Sequence, residues 1–116
     1  MQVLELFFQF LVVHAVLDFM WQPNIMASAK SRHSSYHEHG NRDFPAWYYW
    51  LFAHSLAHGG GVYLVTGSLA LGLIETALHA LIDYLKCEHK TTLAQDQALH
   101  LACKLGYCGW WLTLQA

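Results

Sequence analysis

Residues 44–74 read FPAWYYWLFAHSLAHGGGVYLVTGSLALGLI, a run without a single Asp, Glu, Lys or Arg. An uncharged apolar run longer than about 20 residues signals a membrane span, and this one is too long for a single crossing. The step at Gly67-Ser68 divides it. One helix then runs from about Ala46 to Thr66 and the next from about Ser68 to Lys86, with a very short turn between antiparallel neighbours. Gly59-Gly60-Gly61 lies inside the first of these. It either thins the helix for close packing, as small residues do in membranes, or breaks it. Trp47, Tyr48, Tyr49 and Trp50 open this helix and Trp110-Trp111 lie near the C-terminus, positions suited to interfacial aromatics.

Working outward, Gln2–Gln22 is apolar apart from Glu5 and Asp18, and Pro23-Asn24 stops it. Pro23–Pro45 is a polar loop holding Lys30, Arg32, His33, His37, Glu38, His39, Arg42 and Asp43. Cys87–Thr92 is a second polar connector, and a last helix runs from about Leu93 to Leu114, punctuated by Gly106 and Gly109. The pattern predicts an all-α fold. It is a single helical membrane domain over residues 1–116, a four-helix up-down transmembrane bundle with a polar His-rich loop between its first two helices.

Composition agrees with a membrane setting. Of 116 residues, 55% are hydrophobic and 12% charged, half of the roughly 25% charge of a soluble domain. A mean hydropathy of +0.24 is modest, so a soluble or peripheral all-α domain with a large apolar face is the competing fold. Net charge −2 lacks the basic footprint of a nucleic-acid binder. Cys87, Cys103 and Cys108 have no framework spacing and read as buried thiols, not disulfides. The N-terminus has neither a basic flank nor a cleavage site, so the first helix is expected to persist. Lys30, Arg32, Arg42, Lys86 and Lys90 all fall in the first and third connectors. The positive-inside rule then puts both termini outside a bacterial inner membrane, with the bilayer as partner.

Nine histidines outnumber all lysines and arginines together. Each expected helix carries two metal-capable residues four apart: His14/Asp18, His54/His58, His79/Asp83 and Asp96/His100. Positions i and i+4 share a helix face. With His33/His37 and His39/Asp43 there are six such pairs, against roughly one or two expected from random placement, and their distribution, with no helix lacking a pair, adds force to the excess. In antiparallel helices the four pairs come to similar depths in the cytoplasmic half of the bundle. Ionisable groups there cost several kcal/mol unless they pair, face water or bind an ion. The competing reading is a polar network that merely fixes helix register.

Eight donors exceed the four that one zinc needs, which points to two divalent ions, or one ion with orienting partners for the other groups. The His/Asp mixture suits zinc first, with manganese and iron compatible. Glu75, one turn before His79, is a further ligand candidate. Gln22 continues the His14/Asp18 face and Gln97 adjoins Asp96, both placed to orient ligands or bind substrate. Lys30 and Lys86 are placed to hold a phosphate, against the ordinary role of span-end lysines, which is to snorkel. The loop cluster His33, His37, Glu38, His39 has metal-capable spacing but reads as surface or metal loading.

The combination His14-x3-Asp18-Phe19-x2-Gln22-x3-Met26-x3-Lys30, His54-x3-His58, His79-x2-Ile82-Asp83-Tyr84-x-Lys86 and Asp96-Gln97-x2-His100 resembles a domain-of-unknown-function family of short bacterial and phage integral membrane proteins. It is more distantly similar in style to membrane-bound metal-dependent hydrolases. The resemblance covers nearly the whole chain, omits the stretch 33–39, and implies a membrane setting and a metal.

Three functions follow as expectations. The first is a metal-dependent hydrolase acting on a phosphoester or lipid-linked substrate. Its metal ligands would be His14, Asp18, His54, His58, His79, Asp83, Asp96 and His100. One of Asp18, Asp83 and Asp96 would be free for proton transfer, and Gln22, Lys30 and Lys86 would contact substrate. No Ser-centred nucleophile motif or phosphate-binding Gly loop is present, which disfavours serine hydrolases and nucleotide kinases. The second is a metal-ion or proton translocator, which at this size would need a homo-oligomer. The third is a structural phage or bacterial membrane protein with a buried polar network.

Overall fold

The computed structural model describes residues 2–38 and 42–115 and is all-helical among them. Helix α1 covers Val3–Ala15 and continues as a π-helical turn, Val16–Met20, closed by Trp21 N–H on the Val16 carbonyl at 2.7 Å. A short helix α2 follows at Asn24–Ala29, and a 3-10 turn at Ser35–His37. Three long helices complete the chain: α3, Trp47–Thr66; α4, Leu69–Cys87; and α5, Leu93–Gln115. The four expected helices are therefore present. The expected polar loop differs, since Pro23 caps α2 and folds that segment back against α3.

Local chemistry explains the boundaries. Gly67 takes φ +70° at the end of α3, a left-handed conformation that favours glycine, and its N–H returns to the Tyr63 carbonyl. Ser68 Oγ accepts from Leu71 N–H at 3.2 Å and starts α4. Thr92 and Gln95 exchange backbone and side-chain hydrogen bonds of 3.2 and 3.0 Å, a capping box that starts α5.

Helix α1 packs on α3 and α5, and α4 on α3 and α5, which closes a four-helix ring. The tightest seam is α3 against α4. A Cβ on Gly59 would fall on Thr76 Oγ1 and within 2.5 Å of the Gly72 carbonyl, and one on Gly72 would stand 2.9 Å from the Gly59 carbonyl. The triple glycine thus thins α3 and does not break it. At about 1.5 Å per residue the 20 residues of α3 span about 30 Å.

Side chains are sorted opposite to the habit of water-soluble domains. Leu6, Phe10, Val62, Leu71, Tyr107 and Cys108 form a small apolar plug at the end holding the termini. Beside it, with Ala29, Leu51 and Ile82, the interior is largely polar: Lys30, His54, His58, Glu75, His79, Asp83, Asp96, His100 and Lys104 are all buried. Large apolar residues line the outside, including Leu64 (82% exposed), Leu4 (75%) and Phe8 (62%). One helix, Val3–Met20, is long and apolar enough to cross a membrane by length and composition, with mean hydropathy 1.8 and 11% of its residues buried. Signal sequences and core helices of soluble proteins pass the same test. The stretch 44–74, whose uncharged run signals a span, falls short of that hydropathy. Its inward histidines and glycines lower its mean hydropathy.

Candidate metal centre

The polar stripe of each helix follows the i, i+4 rule, so the turns stack into layers. Above the plug, Glu75 on α4 meets Lys104 on α5, Nζ to Oε1 2.5 Å, while Tyr107 OH donates to Oε2 at 2.6 Å. The next layer is imidazole. His79 stacks on His58 at 3.7 Å and on His100 at 4.1 Å between ring centroids, and His14 lies 5.3 Å from His58 and 5.2 Å from His100. Asp18, His54, Asp83 and Asp96 form the layer nearer the connectors.

Four Nε2 atoms converge on three aspartates. Around Asp18 Oδ1 stand Nε2 of His58 (2.8 Å), His54 (3.1 Å) and His79 (3.9 Å). Around Asp83 stand Nε2 of His100 (3.1 Å), His54 (3.5 Å) and His79 (3.5 Å). Asp96 Oδ1 lies 3.5 Å from His100 Nε2. The π turn of α1 carries Asp18; such turns recur at functional sites because their extra residue re-aims a side chain.

Metal-capable atoms gather within 4.8 Å of one another in three groups: Asp18, His54, His58, His79; Asp83, Asp96, His100; and Glu75, His79, His100. Two ligands of a tetrahedral ion with bonds near 2.0–2.1 Å stand roughly 3.3 Å apart, so the first two groups have the spacing of a ligand set. Their hydrogen bonding fits too. His58 Nε2 and His79 Nε2 are buried with no hydrogen bond, as is Asp96 Oδ1, although His58 lies close to Asp18. The third group is poorly suited, because the Lys104 ammonium already neutralises Glu75. Glu75 instead accepts from His79 Nδ1 at 3.3 Å, which leaves Nε2 as the free acceptor facing Asp18.

Three residues orient the centre without joining these groups. His14 Nε2 stands 2.9 Å from Gln97 Oε1 and 3.2 Å from Asp18 Oδ2. Gln97 Nε2 donates to Asp18 Oδ2 at 3.0 Å and to Asp96 Oδ2 at 3.1 Å. Gln22 Nε2 donates to the Asp18 carbonyl at 2.9 Å while its Oε1 accepts from Lys30 Nζ at 2.8 Å. Lys30 is itself buried, its Nζ 2.7 Å from Asp83 Oδ2. Lys86 is half-buried at the end of α4. A cavity of about 180 Å³ between α1 and α5, lined by His14, Gln97, His100 and Lys104 with Leu11 and Leu101, reaches the centre from the side.

The loop cluster does not assemble among the described residues. His33 pairs with Glu88 at 2.5 Å, and His37 donates to the Ala29 carbonyl at 2.7 Å. Glu38 is exposed, and His39 lies outside the described residues. Arg32 holds Glu88 at 2.6 Å, and this guanidinium, with Tyr84 and His33, keeps the Glu88 carboxyl down at about 2.

The family described as "protein of unknown function (DUF3307)" matches residues 6–107. The chain belongs to the DUF3307 family. The matched span contains all eight expected ligands and the Glu75, Lys104, Tyr107 cluster. No curated protein and no solved structure matches the chain. Membership in DUF3307 carries no activity, so function must come from the chemistry of the centre. Sequence reading missed Lys104 and Tyr107 as parts of it. Asp96, His100 and Lys104 continue one four-residue stripe on α5, and that repeat is the signal that could have found Lys104.

Proposed function

We propose that this DUF3307 member is a membrane-embedded metalloprotein that hydrolyses a phosphoester or lipid-linked substrate at its His/Asp centre. The observation that carries the proposal is charge. Among the described residues, Asp18, Glu75, Asp83 and Asp96 are enclosed with Lys30 and Lys104 as the buried lysines, so if the imidazoles are neutral the centre keeps an excess of two negative charges. One divalent cation cancels that excess, and uncompensated buried charge costs several kcal/mol. Zinc suits the donors, with manganese and iron compatible, in one or two sites.

The bilayer reading is supported by the apolar exterior and by α-helices of membrane-spanning length around a polar interior. The basic connectors on one side favour a bacterial inner membrane with both termini outside.

A bound metal would supply an activated water and positive charge for the phosphoryl oxygens. His54, His58, His79 and Asp18 would hold it, with Asp83 and His100 able to hold a second ion. Asp96, whose Oδ1 lacks a hydrogen bond, is the carboxylate best placed to accept the proton of the attacking water. The side cavity between α1 and α5 gives the substrate a route.

A second reading rests on a different observation. Polar groups follow one another from Lys30 through Asp83 and His79 to Glu75 and Tyr107, hydrogen-bonded except for the 3.5 Å step between Asp83 and His79, and protons on two imidazoles would also cancel the excess charge. That favours proton or metal-ion translocation.

The deciding experiment is metal content of the detergent-purified, tag-free protein beside His54→Ala/His58→Ala. About one or two equivalents in the wild type, lost in the variant, support the metal centre, and a phosphoester screen then follows. No retained metal after reconstitution with zinc, manganese and iron sinks it. Ion flux in proteoliposomes without hydrolysis would favour translocation.

A further inference from the structure

At the connector end, a pocket of about 280 Å³ lies between α2, the segment after it and the end of α4. Its wall carries three hydroxyls, Ser28, Ser31 and Ser34, and the side chains of Lys86 and His89. Lys30 and His33 also line it, and no carboxylate does. Ser28 and Ser34 share a hydrogen bond of 2.8 Å, which fixes two hydroxyls on one side. Lys86 makes no ion pair among the described residues, unlike Lys30, Arg32 and Lys104. Ser31 Oγ spends its proton on the Cys87 carbonyl at 3.5 Å, so the pocket offers one hydroxyl proton of the Ser28/Ser34 pair beside the uncommitted Lys86 ammonium and the His89 ring, donors of the kind that hold a phosphate.

The pocket also has a connection to the buried centre. Lys30 lies at its inner side and places its Nζ 2.7 Å from Asp83. The other basic residues of the connectors, and the aromatic run Trp47–Trp50 at the start of α3, belong to the same end of the bundle, where a lipid headgroup would sit.

We propose that this pocket binds a phosphate monoester group, and that it is a recognition site for a substrate whose scissile bond is a different one, presented to the metal centre. The assignment rests on the hydrolase reading for its purpose, but not for its binding chemistry. The ligand chemistry is a phosphate monoester dianion, whether free or on a lipid headgroup.

The test separates both questions by using the His54→Ala/His58→Ala protein, in which phosphate has no intact metal site to bind. Inorganic phosphate is titrated against this full-length protein in detergent, and the same protein is placed in nanodiscs containing phosphatidic acid or only phosphatidylcholine. Phosphate binding that weakens at least tenfold with Lys86→Gln supports a soluble source. Protection that appears only with phosphatidic acid and disappears with Lys86→Gln supports a lipid source. Glu88→Gln, which removes the one carboxylate held by Arg32 and His33 beside the pocket, is expected to tighten binding severalfold. Helical circular dichroism confirms that each variant is folded. Absence of binding to either probe, or binding indifferent to Lys86→Gln, overturns the assignment, whatever the metal analysis gives.

Discussion

Lys104→Met removes one partner of a buried pair whose side chains are 4% and 1% exposed and whose charged atoms stand 2.5 Å apart. Methionine keeps the length and apolar stem of lysine, so the main change is electrostatic. Glu75 is left ionised in the interior with only the Tyr107 hydroxyl and His79 beside it. Breaking a buried pair in this way costs about 3–5 kcal/mol, whereas removing both charges together is close to neutral. For a domain of this size each kcal/mol shifts the melting temperature by roughly 3–5 °C, so the single variant should melt roughly 10–25 °C lower. Glu75→Gln/Lys104→Met should recover most of that loss, because no uncompensated charge remains. The assay is thermal unfolding of the full chain in one detergent, wild type, both singles and the double forming a cycle. A single variant melting within about 2 °C of wild type, or a double variant less stable than Lys104→Met, would refute the reasoning.

Glu75→Gln should also weaken metal binding about 10–100-fold while leaving the ligands in place, since it loosens the partner that orients His79; unchanged affinity by competition with a chelator would count against that role. Gly59→Ala should cost about 1–3 kcal/mol because the added methyl meets the Gly72 carbonyl and Thr76, while Gly60→Ala, open to space, should stabilise by about 0.5–1 kcal/mol. Equal melting temperatures for the two would remove the close-approach account of α3 and α4. Glu88 titrates at about 2 against an ordinary 4.5, so its clamp on Arg32 and His33 contributes fully above about pH 4.5 and is lost as pH falls through about 2. Carboxyl NMR should find that midpoint near 2 and shift it upward in Arg32→Gln; a wild-type midpoint near 4.5 would show that the clamp is not formed.

The long helices were legible in the sequence because the signals that bound them are local. Gly67-Ser68, Pro23 and Thr92 act through their own backbone and the next turn, and α3, α4 and α5 begin and end within a residue or so of the expected positions. The convergence of His54, His58, His79, Asp83, Asp96 and His100 was legible too, since four-residue spacing fixes a face and antiparallel order fixes a depth. The π turn was not, because Val16–Met20 has no residue that demands it. Lys30 reads in the sequence as a phosphate-holding or snorkelling lysine, and its buried pairing with Asp83 was not legible for a related reason. Nothing in a six-residue helix announces that it will fold inward and deliver an ammonium group to Asp83. Lys104 and Tyr107 were obscured because the partner that justifies them, Glu75, is 29 and 32 residues away.

The plug of Leu6, Phe10, Val62, Leu71, Tyr107 and Cys108 gives the molecule a direction. Phe10 and Tyr107 meet edge to face at 5.9 Å across it, and their packing is a closed floor under the histidines. The cavity between α1 and α5 reaches those histidines from the side, above this floor. Passage from one face of the bundle to the other would first require those two rings to part.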